Sequence, residues 1–233
     1  MRTLDRPLRS LLVAAVLLVG SAAQVCAQET PSNEPSPDAT GFYATLGVGA
    51  AWPQNVTGST SVFDIDVSGD YSLDPGVAVE VGAGYDFGVV RAELTYLYNN
   101  ATLNSLRVSA LGQSVSASIS NGDVNTNSVM ASAYVDIPTK SRIVPYVGGG
   151  LGYTNVSWGS YNASAGGLTL SQSSGGQGVL GYQGKLGVSY RASKEADVFL
   201  EATYQGTAGF SVESVSYDPL SSWGARLGAR YRF

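Results

Sequence analysis

No histidine occurs among the 233 residues, and the sole cysteine is Cys26. Nucleophilic catalysis by a Ser/His/Asp or Cys/His set needs an imidazole to take the nucleophile's proton, so composition rules both out. Histidine-ligated zinc is ruled out with them. Carboxylates gather once, where Asp64, Asp66 and Asp70 alternate through Asp64-Ile65-Asp66-Val67-Ser68-Gly69-Asp70, with Asp74 close behind. Such a run offers a hard cation several oxygens, but no Glu closes it as a calcium loop requires. Asp64, Asp66 and Asp70 are therefore weak metal candidates, and a solvated acidic loop is the plainer reading. Gly148-Gly149-Gly150 and Gly152 lie in a strand, where small residues ease packing, and make no phosphate loop. The Asn-x-Ser/Thr triplets at Asn55, Asn100, Asn155 and Asn162 read as chance in an Asn/Ser/Thr-rich chain. These residues give no reason to expect an enzyme or a cofactor; an aspartate-only mechanism is the remote alternative.

The remaining charges stand singly, and their meaning depends on the elements that carry them. Period-two alternation runs through eight segments. In Gly41–Trp52, Phe42, Ala44, Leu46, Val48, Ala50 and Trp52 share one face, opposite Tyr43, Thr45, Gly47, Gly49 and Ala51. The same division recurs in Val77–Phe87, Val90–Tyr98, Asn127–Ile137, Gly178–Arg191 and Asp197–Phe210, and more weakly in Gly-rich Ile143–Ser157. It is clearest in Ser222–Phe233, where Trp223, Ala225, Leu227, Ala229, Tyr231 and Phe233 alternate with Gly224, Arg226, Gly228, Arg230 and Arg232. Connections alternate too. Asp86-Phe87-Gly88, Pro138–Arg142 and Ala192–Ala196 are tight, whereas Pro53–Gly76, Asn99–Thr126, Gly159–Gln177 and Ser211–Ser221 are long, polar and expected to be loops.

The start of the chain indicates export. Arg2, Arg6 and Arg9 precede the apolar run Leu11–Gly20, which is too short for a helix to cross a bilayer. Val25-Cys26-Ala27 fits a signal-peptidase site, so residues 1–27 read as a signal peptide and the mature chain starts near Gln28. A retained anchor and lipidation at Cys26 are the alternatives, the latter disfavoured by Val25. Cleavage removes Cys26, so no disulfide is expected. It also takes 13 basic and 18 acidic residues to 10 and 17, a net charge of −7. No basic footprint for nucleic acid is present. Residues 28–40 are Pro-rich and acidic, and read as a disordered linker.

A soluble up-and-down barrel shows the same alternation. Here, however, the polar face is mostly Gly, Ser, Thr and Ala with isolated charges, rather than dense Lys and Glu. Charged residues make up only 13% of the chain, against about 25% in soluble domains. Aromatic residues cluster at strand ends, as interfacial girdles require. Strands of about ten residues suit a tilted crossing of the hydrocarbon layer. The expected fold class is all-β: a transmembrane antiparallel up-and-down barrel of eight strands over residues 41–233, with short periplasmic turns and long external loops.

The carboxy-terminal LGARYRF, the opening GFYATLGVGAAW and the segment YVGGGLGY resemble those of small OmpA-type and opacity-protein barrels, the porin-family surface antigens of Gram-negative-type bacteria. The resemblance covers Gly41–Phe233, and the chain is expected to lack the periplasmic peptidoglycan-binding domain of the longer members. It implies a cell outer-membrane location and outer-membrane lipids as surroundings. It also implies an assembly signal at Leu227, Tyr231 and Phe233, read by the outer-membrane assembly machinery. A monomer is expected, and any external ligand or host-surface partner is left unidentified.

On that plan Glu80, Glu93, Lys185, Glu201 and Arg226 point into the lumen and, counted from the nearest periplasmic ends, share one layer. Asp86, Arg91 and Arg230 form a second layer nearer the periplasm. Isolated charges in a narrow interior are costly unless paired. The expectation is an ionic network across the lumen, formed by Glu80, Glu93, Lys185, Glu201, Arg226 and Arg230; separately hydrated charges are the alternative. An eight-stranded barrel is just wide enough to be filled by side chains. A structural or surface-interaction scaffold displaying four external loops is therefore favoured over a narrow porin-like channel.

Overall fold

A computed structural model describes residues 40–233, apart from 63–64, 166–167 and 213–214. The expected signal peptide, all of the expected linker but Thr40, and Asp64 lie outside the described residues. Among the described residues fourteen strands follow in chain order: β1 (Gly41–Pro53), β2 (Val56–Val62), β3 (Ile65–Asp74), β4 (Gly76–Asp86), β5 (Val90–Ala110), β6 (Gln113–Asp136) and β7 (Ile143–Trp158), then β8 (Tyr161–Ala165), β9 (Leu168–Gln172), β10 (Gly175–Arg191), β11 (Ala196–Thr207), β12 (Phe210–Val212), β13 (Val215–Tyr217) and β14 (Ser221–Arg232).

Eight of them close a ring in the order β5-β4-β1-β14-β11-β10-β7-β6, with β6 pairing back to β5. Every pairing in the ring is antiparallel, and the first and last strands meet from Tyr43↔Arg232 to Pro53↔Ser222. Closure leaves no ring edge for another chain to pair with. The three short turns fall at one end, at residues 87–89, 137–142 and 192–195, together with Gly41 and Phe233.

The alternation sorts each ring strand between two surroundings. In β1, Tyr43, Thr45 and Ala51 are buried, while Phe42, Leu46, Val48 and Trp52 are exposed. In β10, Gln183, Lys185 and Ser189 are buried while Leu186 and Val188 are exposed. The outer surface is thus apolar and the interior polar, the reverse of a soluble barrel and the pattern of a barrel that crosses lipid. Outward aromatic side chains form two bands. Phe42, Tyr85 and Phe87 stack at the turn end, with centroids 4.9 and 4.7 Å apart, and Tyr231 meets Phe233 at 5.5 Å. At the other end Tyr182, Tyr204 and Trp223 run in series, and Trp52 lies opposite Trp223 across the ladder.

The expected long loops are largely strand. The segment Pro53–Gly76 carries the β2–β3 hairpin, Gly159–Gln177 the β8–β9 hairpin, and Ser211–Ser221 holds β13 and the end of β12. Instead of looping over Asn99–Thr126, β5 and β6 run on as one hairpin to the turn at Leu111-Gly112. The seventh ring strand stops at Thr207, short of the expected Phe210. A ladder already in place keeps satisfying backbone N–H and C=O groups as it extends. Ser, Thr and Asn on its faces signal water rather than an end to pairing. At the tip, Leu111 and Gly112 both take positive φ, at 51° and 73°, as a two-residue hairpin turn of this hand demands.

Candidate functional site

The lumen holds almost all of the buried charge. Its middle is a quartet drawn from four ring strands: Glu80 on β4, Lys185 on β10, Glu201 on β11 and Arg226 on β14. Lys185 Nζ donates to both Glu80 oxygens, at 2.6 and 2.9 Å, and lies 3.3 Å from Glu201 Oε1. Arg226 Nη1 lies 3.2 Å from Glu80 Oε2 and 3.6 Å from Glu201 Oε1, and donates to Thr203 Oγ1 at 3.0 Å. Tyr146 Oη completes the shell of Glu201 at 3.0 Å. β4 and β10 stand four places apart in the ring of eight, so the Lys185–Glu80 pair spans the full width of the lumen. Two cations face two anions, and all four side chains are buried.

Below the quartet, rings and glycines set the spacing. Tyr134, Tyr146 and Phe199 form the apolar cluster of the interior. A Cβ on Gly187 would overlap the Tyr146 ring, and one on Gly228 would overlap Phe199. Glycine at these inward positions lets the rings lie across the lumen. The Arg91 guanidinium sits over Tyr134 and Tyr146, with its carbon 4.7 and 5.0 Å from the ring centroids. Arg230 is held likewise over Tyr43 and Phe199.

Nearer the turn end a second set of charges pairs off. Arg232 bridges Asp86 at 3.3 Å and Asp197 at 2.7 Å, Arg230 reaches Asp197 at 3.1 Å, and Arg91 binds Asp136 at 2.9 Å. Asp86, Arg91 and Arg230, singled out from the sequence as this layer, each pair with a residue that was not singled out: Arg232, Asp136 or Asp197. All three partners occupy the inward parity of their strands, and that parity is the signal that would have found them.

Glu93 does not join the quartet. Across the β4–β5 ladder it faces Gly84, four positions nearer the turn than Glu80, and Tyr134 Oη donates to it at 2.9 Å. Asp86 pairs with Arg91 at the turn, so Glu93 stands two residues above that rung and Glu80 six; the count that put both in one layer placed Glu93 too far from its turn. Above the quartet the polar contacts become neutral. Gln183 donates to Ser132 at 2.8 Å, Gln205 to Ser128 at 2.9 Å, and Asn99 to Gln205 at 2.9 Å.

The remaining candidates lie elsewhere. Asp66 accepts from Ser61 Oγ at 2.7 Å and Asp70 from Thr57 Oγ1 at 2.8 Å, each across the β2–β3 hairpin. Among the described residues no three His, Cys, Asp or Glu side chains group to hold a metal ion. Leu227, Tyr231 and Phe233 all face outward, Phe233 being 82% exposed. The Phe233 N–H donates to the Phe42 carbonyl at 3.0 Å and ties the end of the chain to its first strand.

A closed ring of eight antiparallel strands with an apolar exterior, two aromatic bands and a charged interior defines a transmembrane β-barrel of the outer-membrane kind. The chain belongs to the family described as outer membrane protein beta-barrel domain, whose model matches residues 11–233. Its place is the outer membrane. Among solved structures it is similar to Neisserial surface protein A, at 21% identity and a TM-score of 0.50, covering 82% of this chain and 97% of that one. It is also similar to the outer membrane protease OmpT of Escherichia coli, at 9% identity and a TM-score of 0.54, covering 88% of this chain and 99% of that one. At these identities the likeness shows the fold alone. Among curated proteins, an uncharacterised protein of Brucella abortus is 29% identical over 106 residues, 41% of this chain. The match spans 37% of that relative's length.

Proposed function

We propose that the protein is a closed, monomeric membrane scaffold that performs no catalysis and holds its hairpins toward the cell exterior for surface interaction or envelope integrity. The observation that carries this reading is the Lys185–Glu80 pair across the lumen, braced by Arg226 and Glu201. A buried ionic bridge at the barrel's middle occupies the path a solute would take, and the cluster Tyr134, Tyr146 and Phe199 fills the space beneath it. Outside lie β2–β3, the β5–β6 extension, β8–β9 and β12–β13, which are rich in Ser, Thr and Asn and suited to contact with water-borne partners. Leu227, Tyr231 and Phe233 are proposed as the surface read by the assembly machinery, since their side chains bury little against the barrel itself.

Single-channel recording in planar bilayers tests the reading. The purified barrel should give no resolved conductance steps, whereas Lys185→Gly combined with Arg226→Gly should give small ones. Regular steps from the parent protein would replace the scaffold with a narrow channel for ions or small solutes.

A further inference from the structure

Above the second aromatic band, the two faces of the barrel wall exchange polarity. On β5 the outward residues run Leu94, Tyr96, Tyr98 and then Asn100, Thr102, Asn104, while the inward ones run Arg91, Glu93, Thr95, Leu97 and Asn99 and then Ala101, Leu103. On β6 the outward series passes from Val129 to Asn127, Asn125 and Asp123. On β7 it passes from Tyr153 to Asn155 and Ser157, with Val156 and Trp158 turned inward. The band marks the change, because the Tyr96 and Tyr98 hydroxyls donate to Asn127 at 2.6 Å and Asn125 at 2.8 Å. Above it the wall stands in water with a polar back and an apolar lining.

That lining encloses a cavity of about 600 Å³, within the range of small-molecule sites, which run roughly from 300 to 1,000 Å³. Val56, Leu103 and Val156 contribute buried aliphatic surface to it. Tyr71, Trp158, Tyr161 and Tyr217 contribute aromatic rings, Gln172, Ser173 and Ser174 add polar groups, and none of the described lining residues is charged. Burial raises the phenol pKa of both Tyr71 and Tyr161 above its ordinary value, with a neighbouring tyrosine adding to each shift. These groups thus stay neutral at ordinary pH. Beneath, a second space of about 60 Å³ shares Leu73, Val124 and Leu220 with the first and ends on Asn99, Thr154 and Gln205. That floor is the top of the neutral polar tier, so the cup is closed toward the lumen.

We propose that this cup binds one small, uncharged, ring-containing apolar molecule taken from the external medium. The lining offers more apolar than polar surface, and an apolar guest gains from leaving water. A charged guest would be buried without a counter-charge, which is costly. The aromatic lining favours rings over flexible chains, since ring faces and edges give contact beyond area alone. On the β5–β7 side an acyl chain of the outer leaflet meets Asn100, Thr102 and Asn155 rather than an entrance, which argues for a guest from the medium. The proposal does not depend on whether the lumen below conducts.

The test uses Trp158 as reporter. With Trp52→Phe and Trp223→Phe, Trp158 is the sole remaining tryptophan of three. The full barrel, held in amphipol and free of detergent, is titrated with the uncharged fluorophore N-phenyl-1-naphthylamine while energy transfer from Trp158 is followed. Transfer should saturate at one probe per chain. The sulfonated analogue 1-anilinonaphthalene-8-sulfonate shares the ring body but carries a charge, and should bind at least about tenfold more weakly. Val156→Glu, which charges the wall, and Leu103→Trp, which fills the cup, should each weaken saturable binding about tenfold or more, with the heat-modifiable gel shift retained as proof of folding. Transfer that rises without saturation, equal binding of the sulfonate, or indifference to both substitutions in folded protein would overturn the proposal. So would an acyl lipid found by mass spectrometry to occupy the purified barrel and to be displaced by the probe.

Discussion

Replacing Lys185 with Met tests whether the quartet is one electrostatic unit. The substitution keeps most of the side-chain volume and removes the cation that holds Glu80 at 2.6 Å and Glu201 at 3.3 Å. Arg226 alone then faces two carboxylates, both nearly inaccessible to solvent. Removing one partner of a buried pair costs about 3–5 kcal/mol, and contact with two anions places Lys185 toward the upper part of that range. With a urea slope of about 2 kcal/mol per molar, the midpoint should fall by about 1.5–2.5 M. Glu80→Gln alone should also destabilise, since it leaves two cations with one anion. The double substitution leaves Arg226 paired with Glu201 and restores neutrality. It should therefore cost clearly less than the sum of the single changes. The assay is reversible urea unfolding in lipid vesicles followed by tryptophan fluorescence, with all four proteins measured side by side. If the double cost equals the sum to within about 0.5 kcal/mol, the residues act independently. The lumen charges would then be separately hydrated.

Three further outcomes are expected. Gly187→Ala should destabilise by about 1–3 kcal/mol through overpacking, because the added methyl meets the Tyr146 ring; Tyr146→Leu in the same chain should recover part of that loss, measured by the same unfolding assay. Deleting Phe233 should lower the heat-modifiable folded fraction in outer membranes while leaving the unfolding midpoint of protein refolded in vitro nearly unchanged, and normal membrane levels would remove it from the assembly signal. Leu111→Asn should relieve the positive φ at the hairpin tip and slow backbone hydrogen exchange across Arg107–Val115, since left-handed backbone at a non-glycine residue costs about 1–2 kcal/mol and Asn tolerates it better.

The eight ring strands were legible because lipid and lumen impose opposite demands on successive side chains, so Leu46 and Val48 announce one face while Thr45 and Tyr43 announce the other. The hairpins were not, because Ser, Thr and Asn were read as loop when they report only that water is near. Ring membership and inward parity also marked Glu80, Lys185, Glu201 and Arg226. Asp136, Asp197 and Arg232 have the same parity and lie within the strands read from the sequence, but their pairing with Arg91, Arg230 and Asp86 crosses between strands, and alternation along one strand does not state such partners. Glu93 shows a different limit. Parity set its direction, but its height follows from its distance to the turn: Asp86 pairs with Arg91, so Glu93 stands two residues from that rung and Glu80 six.

The polarity exchange at the upper band joins these observations. Each face of a ladder reports the medium on its own side, so both faces must be read together. From Tyr98 to Asn100 the outward face alone says that the lipid has ended. From Asn99 to Leu103 the inward face says that the polar lumen has ended too. A loop would have abandoned alternation at that point, whereas this chain inverts it. Inversion keeps the backbone paired and exchanges the solvents on its two sides. The same ladder therefore makes a polar-cored barrel in the membrane and an apolar-lined cup above it, with Gln205, Asn99 and Thr154 as the boundary between them.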